Sequence, residues 1–243
     1  MDALIYTAMS GAQRAQDAQQ VLAHNLANAT TTGFRAKLAV AQAGELPGAG
    51  LPSRHFAMQA RAGIDTTPGV LEATGRALDV AIDGQGYLAL AALPGDGVDV
   101  VYSRGGSLTL DGDGTLRLHG RAVLGDGGPV VVPPHREVDI DADGTLAVAF
   151  DGDSELVPVA RLRRVLAMPG AMRGVGGGVL VADGDTLPGD GVTLRGAHLE
   201  ASNVSAVGAM VQSMNASRDF EMQMRVLKVA DELAEGGNRL MRA

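Results

Sequence analysis

The chain has 243 residues, 46% of them hydrophobic, which is ample for a core; aromatics are only 3% and Trp is absent, so that core must be built from Leu, Val, Ile, Ala and Met. A net charge of −8 with no basic patch argues against nucleic acid as a partner. Cys is absent, which removes disulfides, thiolate metal sites and thiol nucleophiles, and no apolar run reaches the roughly 18 residues that would span a bilayer, so no direct membrane insertion is expected.

The first 29 residues read as a helix. Small or apolar residues recur in heptad spacing at Ile5, Ala8, Ala12, Ala15, Leu22, Leu26 and Ala29, with Gln19 the one polar member. So many alanines let a second helix approach closely. The opening MDALIYTAMSGAQRAQD lacks a basic segment followed by an apolar one, so a cleaved secretory signal is not expected. Thr30-Thr31-Thr32-Gly33 is the expected helix stop. Asn25 and Asn28, close to that end, read either as caps of free carbonyls and loop amides or as subunit contacts. Residues 36–69 read as a connecting segment, broken by Pro47, Gly48, Gly50 and Pro52 and reaching Pro68 and Gly69.

From residue 70 to 197 the hydrophobic period changes from 3.6 to 2. Leu78, Val80 and Ile82 lead into Asp83-Gly84-Gln85-Gly86, and Tyr87, Leu88 and Leu90 follow, which reads as two strands and a tight connection. SLTLDGDGTLRL and VDIDADGTLAV each read as a hairpin around a Gly-containing turn. With segments at 98–102, 130–132, 156–166, 179–181 and 192–194, an all-β middle of about ten short strands is expected, in keeping with 34 glycines.

The last segment, 198–243, reads as a helix with two apolar faces. Val204, Val207, Val211, Met214, Met222, Val226, Val229, Leu233 and Leu240 form a broad stripe; Phe220, Met224, Leu227 and Ala234 form a second. Glu221 with Arg225, and Lys228 with Glu232, are opposite charges four apart. One face is expected to pair with the N-terminal helix, parallel or antiparallel, and the other, taken to be the row through Met224 and Leu227, is left for other subunits. The expected fold class is therefore α+β, with terminal helices paired in a coiled-coil-like domain (1–35 and 198–243) around a discontinuous all-β domain (70–197).

Constellations that carry chemistry are sparse. Asp139, Asp141, Asp143 and Gly144 match the start of a calcium loop, but the twelfth position is Phe150 and the flanks alternate like strands, so a turn is expected. The glycine-rich runs at 125–128 and 174–178 lack the strand–helix setting and the Lys of a phosphate cradle. His24, His55, His119, His135 and His198 show no zinc spacing. No catalytic residue, metal or cofactor is expected.

The segments SGA at 10–12 and HNLANATTTGFR at 24–35 resemble the N-terminal signature of the flagellar rod and hook protein family, with His24 where Asn is usual. TGRALDVAIDGQGYL and YSRGGSLTLDGDGTL in the middle are similar to the same family, with Gly105 replacing a common Asn, and SNVSAVGAMVQSM with RDFEMQMRVLKVADE resembles its C-terminal signature. The opening MDALIYTAMSGA, the FEMQM segment and the modest length are most similar to its proximal-rod members, with the distal-rod members as the alternative.

The resemblance implies a structural subunit of the bacterial flagellar basal body, passed unfolded through the flagellar type III export apparatus and assembled in the periplasm with other rod proteins and copies of itself. The assembly interface is then expected at Ile5, Ala8, Ala12, Leu22, Asn25, Leu26, Asn28, Val207, Val211, Met214, Phe220, Met224 and Leu227. Two readings of another class remain beside it: a glycan hydrolase using paired carboxylates, and a soluble β-rich binding module whose helices pack on its own body.

Overall fold

The computed structural model describes residues 2–39, 41–45, 55–59, 63–152, 155–168 and 170–240. The chain divides into two compact units, one formed by Met1–Ala27, Lys37–Gly63 and Val204–Ala243, the other by Asn28–Ala36 and Ile64–Asn203. Helix and strand content is α+β, with helices at the chain ends and strands between them.

The helical unit contains α1 (Asp2–Ala27) and α2 (Ala206–Leu240). It also holds an antiparallel ribbon, Ala41–Glu45 against His55–Gln59, where a plain connection is expected from sequence. The breakers Pro47, Gly48, Gly50 and Pro52 lie outside the described residues. A segment of alternating small and polar residues gives too weak a period to identify a strand, whereas backbone pairing asks little of its side chains.

In the β unit, a six-stranded antiparallel sheet runs in the order Met172–Gly176, Val179–Ala182, Val100–Ser103, Tyr87–Ala91, Arg164–Leu166, Leu187–Pro188. Both faces of this sheet are covered. Along Tyr87–Ala91, Leu88 and Leu90 enter one core with Val80, Ile82, Leu116 and Leu162, while Tyr87 and Ala89 enter another with Tyr102, Val165, Met172 and Leu180. Two-sided burial explains why YLALA is a continuous apolar run and not an alternation.

The two expected hairpins are present, Leu110 pairing with Leu116 in one and Ile140 with Leu146 in the other. In the second, Asp141 Oδ1 accepts from Ala142 N at 2.7 Å and Asp143 Oδ1 from Thr145 N at 3.0 Å, so these carboxylates organise the turn. The strands on either side of Asp83-Gly84-Gln85-Gly86 do not pair with each other. Asp79–Asp83 lies between Thr193–Gly196 and Gly105–Ser107 in a separate three-stranded sheet. Many strands are only two or three residues long, which raises their number above the ten or so expected.

Behind this turn lies a buried ionic hub. Glu200, from the strand His198–Glu200, is 1% exposed and accepts from Arg35 Nη2 at 2.7 Å, Arg104 Nε at 2.8 Å and Gly69 N at 2.7 Å. Arg104 then donates to Gly86 O at 2.7 Å and Ile82 O at 3.0 Å, holding the turn from inside, with its guanidinium 5.9 Å from the Tyr87 ring centroid. Gly86 has φ 137°, and a Cβ there would meet Val192 at 2.5 Å, so the close approach admits only glycine.

The same region fixes where the chain enters and leaves the unit. Gly33 N donates to Glu200 O at 2.7 Å, Ala36 N to Asn203 Oδ1 at 2.7 Å, and Asn203 Nδ2 to Thr67 O at 3.0 Å. Residues 28–35 and 198–203, expected to belong with the helices, are thereby part of the β unit, and α2 begins only at Ala206.

Candidate assembly surface

α2 starts at a cap. Ser205 Oγ accepts from Gly208 N at 3.2 Å and Ser205 O from Ala209 N at 2.8 Å, which satisfies two groups of the first turn. From there Ala209, Ser213, Ala216, Phe220, Gln223, Leu227, Ala230, Ala234 and Gly237 recur at alternating steps of four and three, the spacing of a coiled-coil seam. All nine are buried or half-buried, and the three fully buried ones are alanines.

α1 supplies the facing seam. Ala8, Ala12 and Ala15 are buried, Leu22 and Leu26 half-buried, and Gln19 donates to Ser217 Oγ at 3.2 Å. At Gly11 a Cβ would stand 2.9 Å from Gln223 Cδ. Position 11 against 223 and 19 against 217 makes the two helices antiparallel. Extending that register brings Ala15 to the level of Phe220 and Ala8 to that of Leu227, small residues opposite large ones.

This seam corrects the assignment of the spare face. Phe220 and Leu227, expected among the residues left for other subunits, are half-buried on the seam, and only Met224 of that row is exposed, at its edge. The uncovered face is the broad stripe. Val207 is 73% exposed, Met214 61%, Leu233 61% and Leu240 81%, and Val211, Met222, Val226 and Val229 are exposed with them. Wheel geometry alone finds both stripes but does not say which one a partner covers; the deciding feature is that alanines and a glycine sit beside Phe220 and Leu227, so close approach of a second backbone is possible only there.

On α1, Ile5 is at the edge of the seam, 36% exposed, with Tyr6 and Met9 exposed beside it. Asn25 is buried and spends both polar atoms inside the unit: Nδ2 donates to Lys37 O and Oδ1 accepts from Lys37 N, each at 2.8 Å. Asn28 O accepts from Thr31 N at 3.0 Å and its Oδ1 from Thr31 Oγ1 at 3.3 Å. Of the two readings of these asparagines, their bonds match the holding of loop amides after the helix. Burial pushes the His24 imidazole below its ordinary value, with Lys37 acting in the same direction. The pairs Glu221 with Arg225 and Lys228 with Glu232 do not close to ion-pair distance among the described residues; all four side chains are exposed, where ordering two long chains costs about what the contact returns.

The exposed stripe offers no titratable group aligned for chemistry. Its residue types are those of a protein interface: several large apolar side chains contiguous on one helix face, rimmed by charges.

Comparison with known proteins agrees on both ends and the middle. Residues 5–35 match the family model described as Flagella basal body rod protein, and residues 195–240 that described as Flagellar basal body rod FlgEFG protein C-terminal. The chain is 38% identical over 251 residues to the flagellar basal-body rod protein FlgF of Escherichia coli (strain K12), with 99% of each chain covered. Identity to FlgF of Salmonella typhimurium is also 38% with 99% of each covered, and to FlgG of Bacillus subtilis (strain 168) 29%, covering 95% of this chain and 96% of that one. Two terminal helices with an alanine seam, a β unit between them and this identity over nearly the whole length make the chain a member of the FlgF family of flagellar basal-body rod proteins.

Proposed function

We propose that the chain polymerises through the outer face of α2 into the proximal part of the rod, where stacked subunits form a stiff tube that transmits torque and encloses the export channel. The observation that supports this reading is the distribution of size across α2: the residues fully buried on the seam are alanines, with Phe220 and Leu227 half-buried between them, whereas Val207, Val211, Met214, Met222, Val229 and Leu233 are exposed. Burying each Val, Leu or Met contributes about 1.5–3 kcal/mol before ordering costs, so a few such anchors per contact hold a polymer. The partners on this reading are copies of the chain and other rod proteins. Passage through the flagellar type III export apparatus before folding, and a periplasmic position, belong to the same proposal. The work is mechanical, with no catalytic step and no cofactor.

The test is the double substitution Met214→Asp with Leu233→Asp. Cells carrying it are expected to lose swimming while the purified variant stays folded, and concentrated wild-type protein is expected to associate by sedimentation where the variant does not. Full swimming in the double variant overturns the proposal.

A further inference from the structure

The chain has no Cys, so its only sulfur atoms are those of ten methionines. Four of them fall on α2, at Met210, Met214, Met222 and Met224, and all four are exposed. The β unit supplies the contrast. Its Met172 is enclosed at 6% exposure, while its Met168 stands 66% exposed, away from any helix.

Met214 and Met222 lie on the broad stripe, 61% and 55% exposed, eight residues or about 12 Å apart along the helix. Val211 and Val226 stand one turn beyond them on either side. The valines and leucines of the stripe are inert to peroxide, but a thioether is not. In the reduced form it is apolar and packs much as leucine does; its sulfoxide is polar and accepts hydrogen bonds, a change that disrupts methionine-rich interfaces. Arg218, exposed and four residues from each, is already a polar point between them. Two sulfoxides beside it would widen that point into a polar band two turns long, and covering such a band costs what burying unpaired polar groups costs.

We propose that Met214 and Met222 are oxidation sites through which a peroxide switches the outer face of α2 from one that associates to one that does not. In each step a sulfur lone pair attacks one oxygen of hydrogen peroxide; the S–O bond forms as the O–O bond breaks, the thioether loses two electrons, and the peroxide is reduced to water. The switch acts before assembly, because neighbours that cover the stripe also shield its sulfur atoms. Oxidation itself depends only on the exposed thioethers, whereas its effect on association rests on the assembly reading of α2 above.

The experiment treats the full chain, dispersed at low concentration, with hydrogen peroxide, and reads the sites by peptide mass spectrometry, the helices by circular dichroism and association by sedimentation at rising concentration. Met214 and Met222 are expected to gain one oxygen each while Met172 stays reduced, and the oxidised protein to keep its helical signal but lose association. Methionine sulfoxide reductases, which between them act on both epimers, are expected to restore it. Met214→Leu with Met222→Leu, a swap that nearly conserves volume, is expected to associate both before and after peroxide, although the exposed Met168 is oxidised in it as well. Met172 oxidised as fast as Met214 and Met222, undiminished association of the oxidised wild type, or equal loss in the double leucine variant overturns the switch and leaves the assembly reading standing. Untreated protein that fails to associate at any concentration removes both.

Discussion

The β unit and the helical unit solve the problem of burial in opposite ways. In the β unit large side chains fill the core: Leu88, Leu90, Leu116 and Leu146 are fully enclosed, and the buried carboxylate of Glu200 is met by two guanidinium groups. Among the described residues of the helical unit the fully buried apolar ones are Ala8, Ala12, Ala15, Ala209, Ala216 and Ala230; large ones are at most half-buried, as Phe220 and Leu227 are on the seam, and most of those on the long helix are exposed. An alanine contributes one methyl group to a seam, about 0.8 kcal/mol when buried, whereas helix formation carries a nucleation cost that isolated helices barely meet. The first unit encloses large side chains within one chain. The second leaves a row of them exposed along its long helix.

That contrast is broken most strongly at Glu200. Glu200→Ala leaves two guanidinium groups buried without a counter-charge and is expected to destabilise the β unit by about 3–5 kcal/mol, read as a drop in the urea midpoint followed by a β-sheet signal. An unchanged midpoint shows that the hub does not hold the unit together. The next effect falls on the other unit. Ala216→Leu forces a large side chain into the helix seam at a buried alanine and is expected to cost about 1–3 kcal/mol, seen as earlier loss of helical circular dichroism with the β transition unmoved. If both signals shift together, the two units are one cooperative body and the comparison fails.

How much of this was legible beforehand depends on the kind of residue. The α1 seam follows from Ala8, Ala12 and Ala15 at heptad spacing, because a period survives without knowledge of the partner. Both Gly-turn hairpins follow from local turn chemistry. The orientation of α2 does not, since two stripes on one wheel are equivalent until something occupies one of them. The Glu200 hub is less visible still. Arg35, Arg104 and Glu200 are far apart in sequence, and a charged residue in a strand reads as exposed unless its partner is known; the only hint was that Arg35 and Arg104 fall within segments resembling the rod and hook family. The ribbon of 41–45 with 55–59 is not legible because AQAGE carries no large apolar side chain to set a period, and HFAMQ alone is too short to set one.

A smaller effect is expected from acid. His119 has φ 51°, packs beside Gly106 and Gly178, and its imidazole is pushed below its ordinary value chiefly by burial, against a hydrogen bond with the Gly105 backbone that acts the other way. A folded histidine with a lowered pKa binds fewer protons than the unfolded one. Its contribution to stability is therefore complete above the unfolded value of about 6.5 and is lost as pH falls from there toward the folded value. His119→Asn keeps a residue that tolerates positive φ and removes the titration, so its melting temperature should fall less than wild type's between pH 7 and pH 5. Parallel curves would show that His119 is not the group responsible.

The smallest effect on the monomer is also the most informative about α2. Met214 and Leu233 project from a helix face that no described residue covers, 61% exposed each. Replacing both by Asp removes no packing and is expected to change monomer stability by no more than about 0.5 kcal/mol. Leu227→Asp, by contrast, puts a carboxylate on the half-buried seam, desolvates it against α1 and should loosen the helix pair in the monomer. Both changes are expected to stop swimming, for different reasons, and circular dichroism of the purified proteins separates them. The seam variant loses helical signal and the outer-face variant keeps it. If the outer-face variant loses helix as readily as Leu227→Asp, then the large side chains of the broad stripe are already engaged within one molecule, and the division between a unit that encloses its large side chains and one that leaves them exposed does not hold.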